Sequence, residues 1–177
     1  MHYIFMAFVL AGAVSSEFDT TDTGLGGRVS WHPIALVGVE TEIDFYPRDL
    51  GERAPFSAGR VEGLFGATVG PRLGRLRPFA KIRPGFLTFR AAPEPIACIL
   101  IFPPPLRCTL AGGRTLFALD VGGGVEWLSP GRTFVRVDAG DRIVRYPVPT
   151  IDSSGTIHRD ALSSHDLRLS VGAGLRF

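Results

Sequence analysis

The sequence predicts an all-β fold, an eight-stranded antiparallel up-and-down transmembrane β-barrel with short turns at one end and longer loops at the other, in a single domain spanning residues 1–177. Three observations predict it. Segments of strand length alternate apolar residues with charged or small ones, the charges of each segment fall on the face opposite its large apolar residues, and the connections between segments alternate between tight and long. Successive side chains of a strand point to opposite faces, so each alternation describes two surfaces. Composition is compatible and no more: 45% hydrophobic and 20% charged residues are ordinary values, and a membrane barrel hides in such averages because only every second residue meets lipid. The 22 glycines and 14 prolines favour turns and bends, no stretch carries sustained helical periodicity with caps, and no apolar run reaches the roughly 18 residues of a spanning helix. A net charge of +2 is too small to imply a nucleic-acid partner, and the arginines are scattered singly beside the lone Lys81 rather than clustered.

The apolar run Tyr3-Ile-Phe-Met-Ala-Phe-Val-Leu-Ala-Gly-Ala-Val14 is expected to be the first strand, with residues 15–23 as the first outer loop. Its competitor is a residual signal peptide over residues 1–14, ending in the small residues Ala13-Val-Ser15. The strand reading is preferred because the leading residues hold His2 but no Lys or Arg, and because removing the run would leave an odd number of strands; a signal peptide would then belong upstream. Seven further strands are expected at residues 24–31, 36–46, 59–70, 77–90, 115–127, 133–146 and 165–177, close to the roughly nine to eleven residues of a tilted spanning strand. His32-Pro-Ile-Ala35, Leu73-Gly-Arg-Leu76 and Leu128-Ser-Pro-Gly131 read as tight turns, and residues 47–58, 91–114 and 147–164 as long loops rich in Pro, Ser or charge. That division matches the periplasmic and extracellular ends of an outer-membrane barrel.

The second surface is read strand by strand. Val39, Thr41, Ile43 and Phe45 oppose Glu40, Glu42 and Asp44; Val61, Phe65 and Val69 oppose Arg60 and Glu62; Ile82 and Phe86 oppose Lys81 and Arg83. Likewise Phe117, Val121, Val125 and Trp127 oppose Asp120 and Glu126, Val135 and Val137 oppose Arg136, Asp138 and Arg142, and Leu167, Leu169, Val171, Leu175 and Phe177 oppose Asp166, Arg168 and Arg176. With Arg28, the charges of this face balance in sign, and they are expected to form a lumenal ion-pair network, because ions in a narrow barrel filled by side chains must be paired to offset desolvation. A soluble calycin-like barrel would instead turn its apolar face inward. Trp31, Phe45, Tyr46, Trp127, Tyr146 and Phe177 sit at strand ends, as an aromatic belt at the headgroups would require.

Repeated strand-and-short-turn units such as Gly26-Gly-Arg-Val-Ser-Trp-His-Pro-Ile-Ala-Leu-Val-Gly-Val-Glu-Thr-Glu-Ile-Asp-Phe-Tyr46, and the closing Leu175-Arg-Phe177, carry a resemblance over essentially the whole chain. The chain resembles the small outer-membrane β-barrel superfamily, of the outer membrane protein A transmembrane-domain type. The resemblance implies residence in the bacterial outer membrane, outer-membrane lipid as surroundings, and the barrel assembly machinery as a partner during biogenesis, with Phe177 as part of the assembly signal. It says little about activity.

Chemistry-bearing residues outside the network are few. Cys98 and Cys108, the only cysteines, lie in the loop at 91–114 and are expected to form a disulfide in an oxidising compartment; no histidine accompanies them to complete a metal site. The apolar segment they flank would either dock an extracellular protein partner or fold back over the barrel mouth. Ser163-Ser-His-Asp166 is not expected to be catalytic, since neighbours on one strand point to opposite faces, and His158 and Asp160 fall in a loop. Val121-Gly-Gly-Gly-Val125 is not a phosphate loop, because no helix follows it. The expectation is a non-enzymatic outer-membrane barrel with a closed, charge-paired interior, envelope-structural or partner-binding through its loops, without cofactor, metal or nucleic acid. A small pore is the alternative, and a lipid-modifying enzyme a minor one.

Overall fold

The computed structural model describes residues 3–15, 20–47, 59–91, 101–146, 149–152 and 154–177. Its strands are β1 (Tyr3–Ser15), β2 (Thr20–His32), β3 (Val37–Tyr46), β4 (Arg60–Val69), β5 (Leu76–Phe89), β6 (Arg114–Leu128), β7 (Thr133–Tyr146), β8 (Thr150–Ile151), β9 (Ile157–His158) and β10 (Leu162–Arg176), with one short helix, α1 (Leu106–Ala111), between β5 and β6. Eight of the strands close into a barrel in the order β1-β10-β7-β6-β5-β4-β3-β2, every neighbouring pair antiparallel. Closure is made by β1, which pairs with β2 from Tyr3↔His32 to Ser15↔Thr20 and with β10 from Phe5↔Arg176 to Val14↔Leu167.

The apolar face is outside and the charged face inside. Along β10, Leu167, Leu169, Val171 and Leu175 are exposed while Asp166, Arg168 and Ser170 are buried. The ten-residue step from Leu167 to Phe177 covers ~34 Å at a strand rise of about 3.4 Å. Tilted by about 40°, it rises ~26 Å, the height of the apolar band on a membrane barrel.

Several boundaries differ from expectation. β2 begins at Thr20 rather than residue 24, and His32 ends it rather than opening a turn; β10 begins at Leu162, inside the expected loop. At β2 pairing persists past the last large apolar residue because ladder hydrogen bonds need only backbone, and β10 extends to Leu162, which packs against buried apolar residues at that end. The long connections hold structure of their own, α1 after β5 and the β8–β9 hairpin after β7. Much of the expected loops at 47–58 and 91–114, Cys98 included, lies outside the described residues.

Candidate functional site

The interior is built by cross-strand register. Arg28 stands opposite Glu42, Arg77 opposite Glu126, Arg83 opposite Asp120, Glu126 opposite Arg136, and Arg142 opposite both Asp120 and Asp166. Opposite charges facing one another on a pleated surface are mutually stabilising, and most of these pairs become ion pairs. Arg83 Nε donates to Asp120 Oδ2 at 2.9 Å, Arg142 Nη2 lies 2.9 Å from Asp166 Oδ2, Arg136 Nη1 lies 3.2 Å from Glu126 Oε1, and Arg28 Nε donates to Glu42.

A second set crosses the lumen. Arg136 on β7 grips Glu40 on β3 with both terminal nitrogens, at 2.7 and 3.0 Å, and its guanidinium centre lies 4.0 Å from the Phe79 ring centroid. Arg168 on β10 reaches Glu42 at 2.5 Å, Glu62 on the facing wall at 3.2 Å, and Asp44. Arg83 also reaches Glu40 at 3.1 Å and Glu42 at 2.5 Å, Lys81 pairs with Asp120 at 2.9 Å and with Asp138, and Arg28 meets Asp138 at 3.1 Å. Fork-shaped guanidiniums suit this role, since each can satisfy several carboxylates at once. Among the described residues, eight cationic and eight anionic side chains are buried here in addition to His32. Glycine makes room at one crowded level, where a Cβ on Gly140 would fall on the Asp120 carboxylate and 3.2 Å from Lys81 Cε.

Three expectations are corrected. Arg176 does not join the network: half-buried at the short-turn end, it donates from Nη2 to the Ser129 carbonyl at 2.8 Å and from both Nε and Nη2 to that of Gly131. It is the last residue of β10, beyond the reach of the lumenal carboxylates, so it closes the β6–β7 turn instead. Arg77, absent from the expected set, is buried against His32 and lies 3.3 Å from Glu126; its alternation with Phe79 and Lys81 was the available signal. Tyr46 and Tyr146 are not belt residues. Each is 2% exposed, because each shares the parity of its strand's inward charges; Tyr46 donates its hydroxyl to Glu62 at 2.9 Å. Trp31, Phe45, Trp127 and Phe177 are exposed on the outer face. Arg60 is buried, 5.5 Å from the Phe89 ring centroid.

Above the ions, at the long-loop end, the inward face of β5, β6 and β7 turns apolar: Leu87 and Phe89, Leu116 and Ala118, Val144 and Tyr146. Leu106 and Leu110, four residues apart and therefore on one face of α1, are buried in this cluster. The α1 end of the apolar segment thus folds back over the mouth, while Ile101 and Phe102 stay exposed. Its approach is fixed from the side by the β8–β9 hairpin, where Ile151 N and Thr150 Oγ1 both donate to the Pro104 carbonyl, at 3.1 and 3.2 Å. The hairpin turns on Asp152, whose carboxylate accepts from Ser154 Oγ at 2.6 Å, from Ser154 N and Thr156 N, and pairs with His158 Nε2 at 2.8 Å. These partners, Ser154 foremost, hold the Asp152 carboxyl well below the usual carboxylate range. Cys108 on α1 is disulfide-bonded. Ser164 donates to Asp166 inside the barrel, while His165 pairs with Asp141 on the outside, so the two point apart.

No protein-family model and no curated protein matches the chain. Solved structures do. The N-terminal β-barrel domain of Pseudomonas aeruginosa OprF superposes with a TM-score of 0.60 at 10% identity, covering 98% of this chain and 97% of that one. Neisserial surface protein A gives 0.54 at 17% identity, over 99% and 97%, and the outer membrane protein OprG of P. aeruginosa gives 0.55 at 11%, over 99% and 95%.

Proposed function

The chain has the fold of the small outer-membrane β-barrels, and from that premise we propose that it is a non-enzymatic barrel of the bacterial outer membrane that works as a closed body, stabilising the envelope or binding a partner through its loop end. The observation that carries the reading is the lumen itself: paired ions occupy the cross-section from Arg77 up to Arg142, and α1 lies over them. Taking such ions out of water costs several kcal/mol each, offset only by dense pairing, and a side-chain lattice of this kind leaves no wide aqueous path. The barrel would carry its short turns in the periplasm and its long loops outside.

Two measurements test this. A band shift between boiled and unboiled samples, with extraction from outer-membrane fractions, is expected; a chain that stays soluble without detergent refutes the membrane reading. In planar bilayers the purified barrel is expected to show no steady single-channel conductance. The second reading, a small pore, draws on Asp44 Oδ1, Asp120 Oδ1 and Arg77 Nη2, buried atoms without a hydrogen bond in the described residues; steady conductance would favour it.

A further inference from the structure

The three short turns differ from the rest of the molecule in charge. Residues 33–36, 70–75 and 129–132 contain Arg72, Arg75 and Arg132 and no Asp or Glu, whereas every connection at the other end carries acidic residues, alone at 16–19 and mixed with basic ones elsewhere. Each of the last two turns is tied to the end of a neighbouring strand: Leu128 N, at the end of β6, donates to the Arg75 carbonyl, and Arg176 N, at the end of β10, to that of Arg132. Between them opens a cleft lined by Arg72, Gly131, Arg132, Arg176 and Phe177. Arg72 and Arg176 are held there by neutral backbone carbonyls, Arg72 Nε by that of Gly74 at 3.3 Å and Arg176 by those of Ser129 and Gly131. Carbonyls orient a guanidinium without cancelling its charge. Among the described residues no ion pair uses Arg72, Arg132 or Arg176. One wall of the cleft is Phe177, exposed on the same face as Leu175 at the lower edge of the apolar band.

We propose that this cleft binds the phosphate of an anionic glycerophospholipid in the leaflet at the short-turn end, its acyl chains lying along Leu175 and Phe177. Unneutralised guanidiniums recognise phosphate oxygens, and the adjoining apolar wall suits a ligand that is part ion and part hydrocarbon. That pairing of surfaces favours a lipid over free phosphate. The proposal rests on the membrane reading above.

The test uses the full chain in nanodiscs of equal phosphatidylglycerol and phosphatidylcholine, with retained lipid counted by native mass spectrometry. Phosphatidylglycerol is expected to be retained preferentially by the unaltered protein. The exposed-site double variant Arg72→Gln/Arg132→Gln is expected to lower that preference by about fivefold for each arginine removed. Arg90→Gln/Arg159→Gln at the long-loop end is expected to leave it unchanged. Equal retention of both lipids, or a preference unmoved by Arg72→Gln/Arg132→Gln, overturns the proposal, as does inorganic phosphate held by the detergent-solubilised protein in place of any lipid preference. Band shifts of the same samples separate the two failures: a folded, inserted barrel without preference defeats only this inference, whereas failure to insert defeats the membrane reading beneath it.

Discussion

Arg83 offers the most direct test of a dry, paired interior. Its guanidinium is fully buried and touches Glu40, Glu42, Asp120 and, at 3.6 Å, Asp138. Arg83→Met removes the charge while keeping a long apolar stem, leaving the lumen with one uncompensated negative charge. Removing one member of a buried pair costs ~3–5 kcal/mol. Here each carboxylate retains another cation, Glu40 with Arg136, Glu42 with Arg28 and Arg168, Asp120 with Lys81, and Asp138 with Arg28, so the lower end, about 3 kcal/mol, is expected. Adding Asp120→Asn restores charge balance and is expected to make the double variant less unstable than the sum of the singles, by about 1–3 kcal/mol. The assay is urea-dependent folding into defined phospholipid vesicles, read by band shift, with the exposed Arg159→Gln as a control expected within ~0.5 kcal/mol of the parent. A loss under about 1 kcal/mol for Arg83→Met, or strict additivity in the double variant, would refute the reasoning, since both outcomes mean that water already solvates these ions.

The cap gives the next expectation: Leu106→Ala/Leu110→Ala removes the two anchors of α1, each substitution costing about 2–5 kcal/mol in a packed site, and amide exchange is expected to rise across 101–112 while the barrel strands stay protected. Exchange rising equally everywhere would show that the helix is not a separate lid. For the cysteines, mass spectrometry of unreduced protein is expected to find Cys98 joined to Cys108 and no thiol open to maleimide; labelling without reductant would rule the link out. The Asp152 hairpin is expected to depend on acid in one direction. Because folding lowers that carboxyl, its contribution is complete above the ordinary carboxylate range and is lost as pH falls through the depressed folded value. An NMR titration in which the Ser154 and Thr156 amides follow an ordinary carboxylate midpoint would contradict it.

How much of this was legible in the chain depends on what period-two alternation can carry. Parity assigns each side chain to one of two faces, so Glu40, Glu42 and Asp44, or Arg136, Asp138 and Arg142, could be placed together on one surface before any strand was paired. The same parity already contradicted a belt role for Tyr46 and Tyr146, since both are in phase with inward charges; position at a strand end was the weaker signal. Arg77 was readable in the same way. Alternation does not carry position around the barrel. That Arg136 would grip Glu40 and Arg168 would span to Glu62 follows from which strands face each other across a closed sheet of eight.

The sequence by itself determined the all-β class, the apolar outside and the charged inside, because these are local consequences of side-chain direction along a strand. Tertiary structure alone decided the partners of each ion, the release of Arg176 to the β6–β7 turn, and the seating of Leu106 and Leu110 over the mouth. Those outcomes depend on register and closure, which bring together residues tens of positions apart, and no local pattern encodes the distance between them.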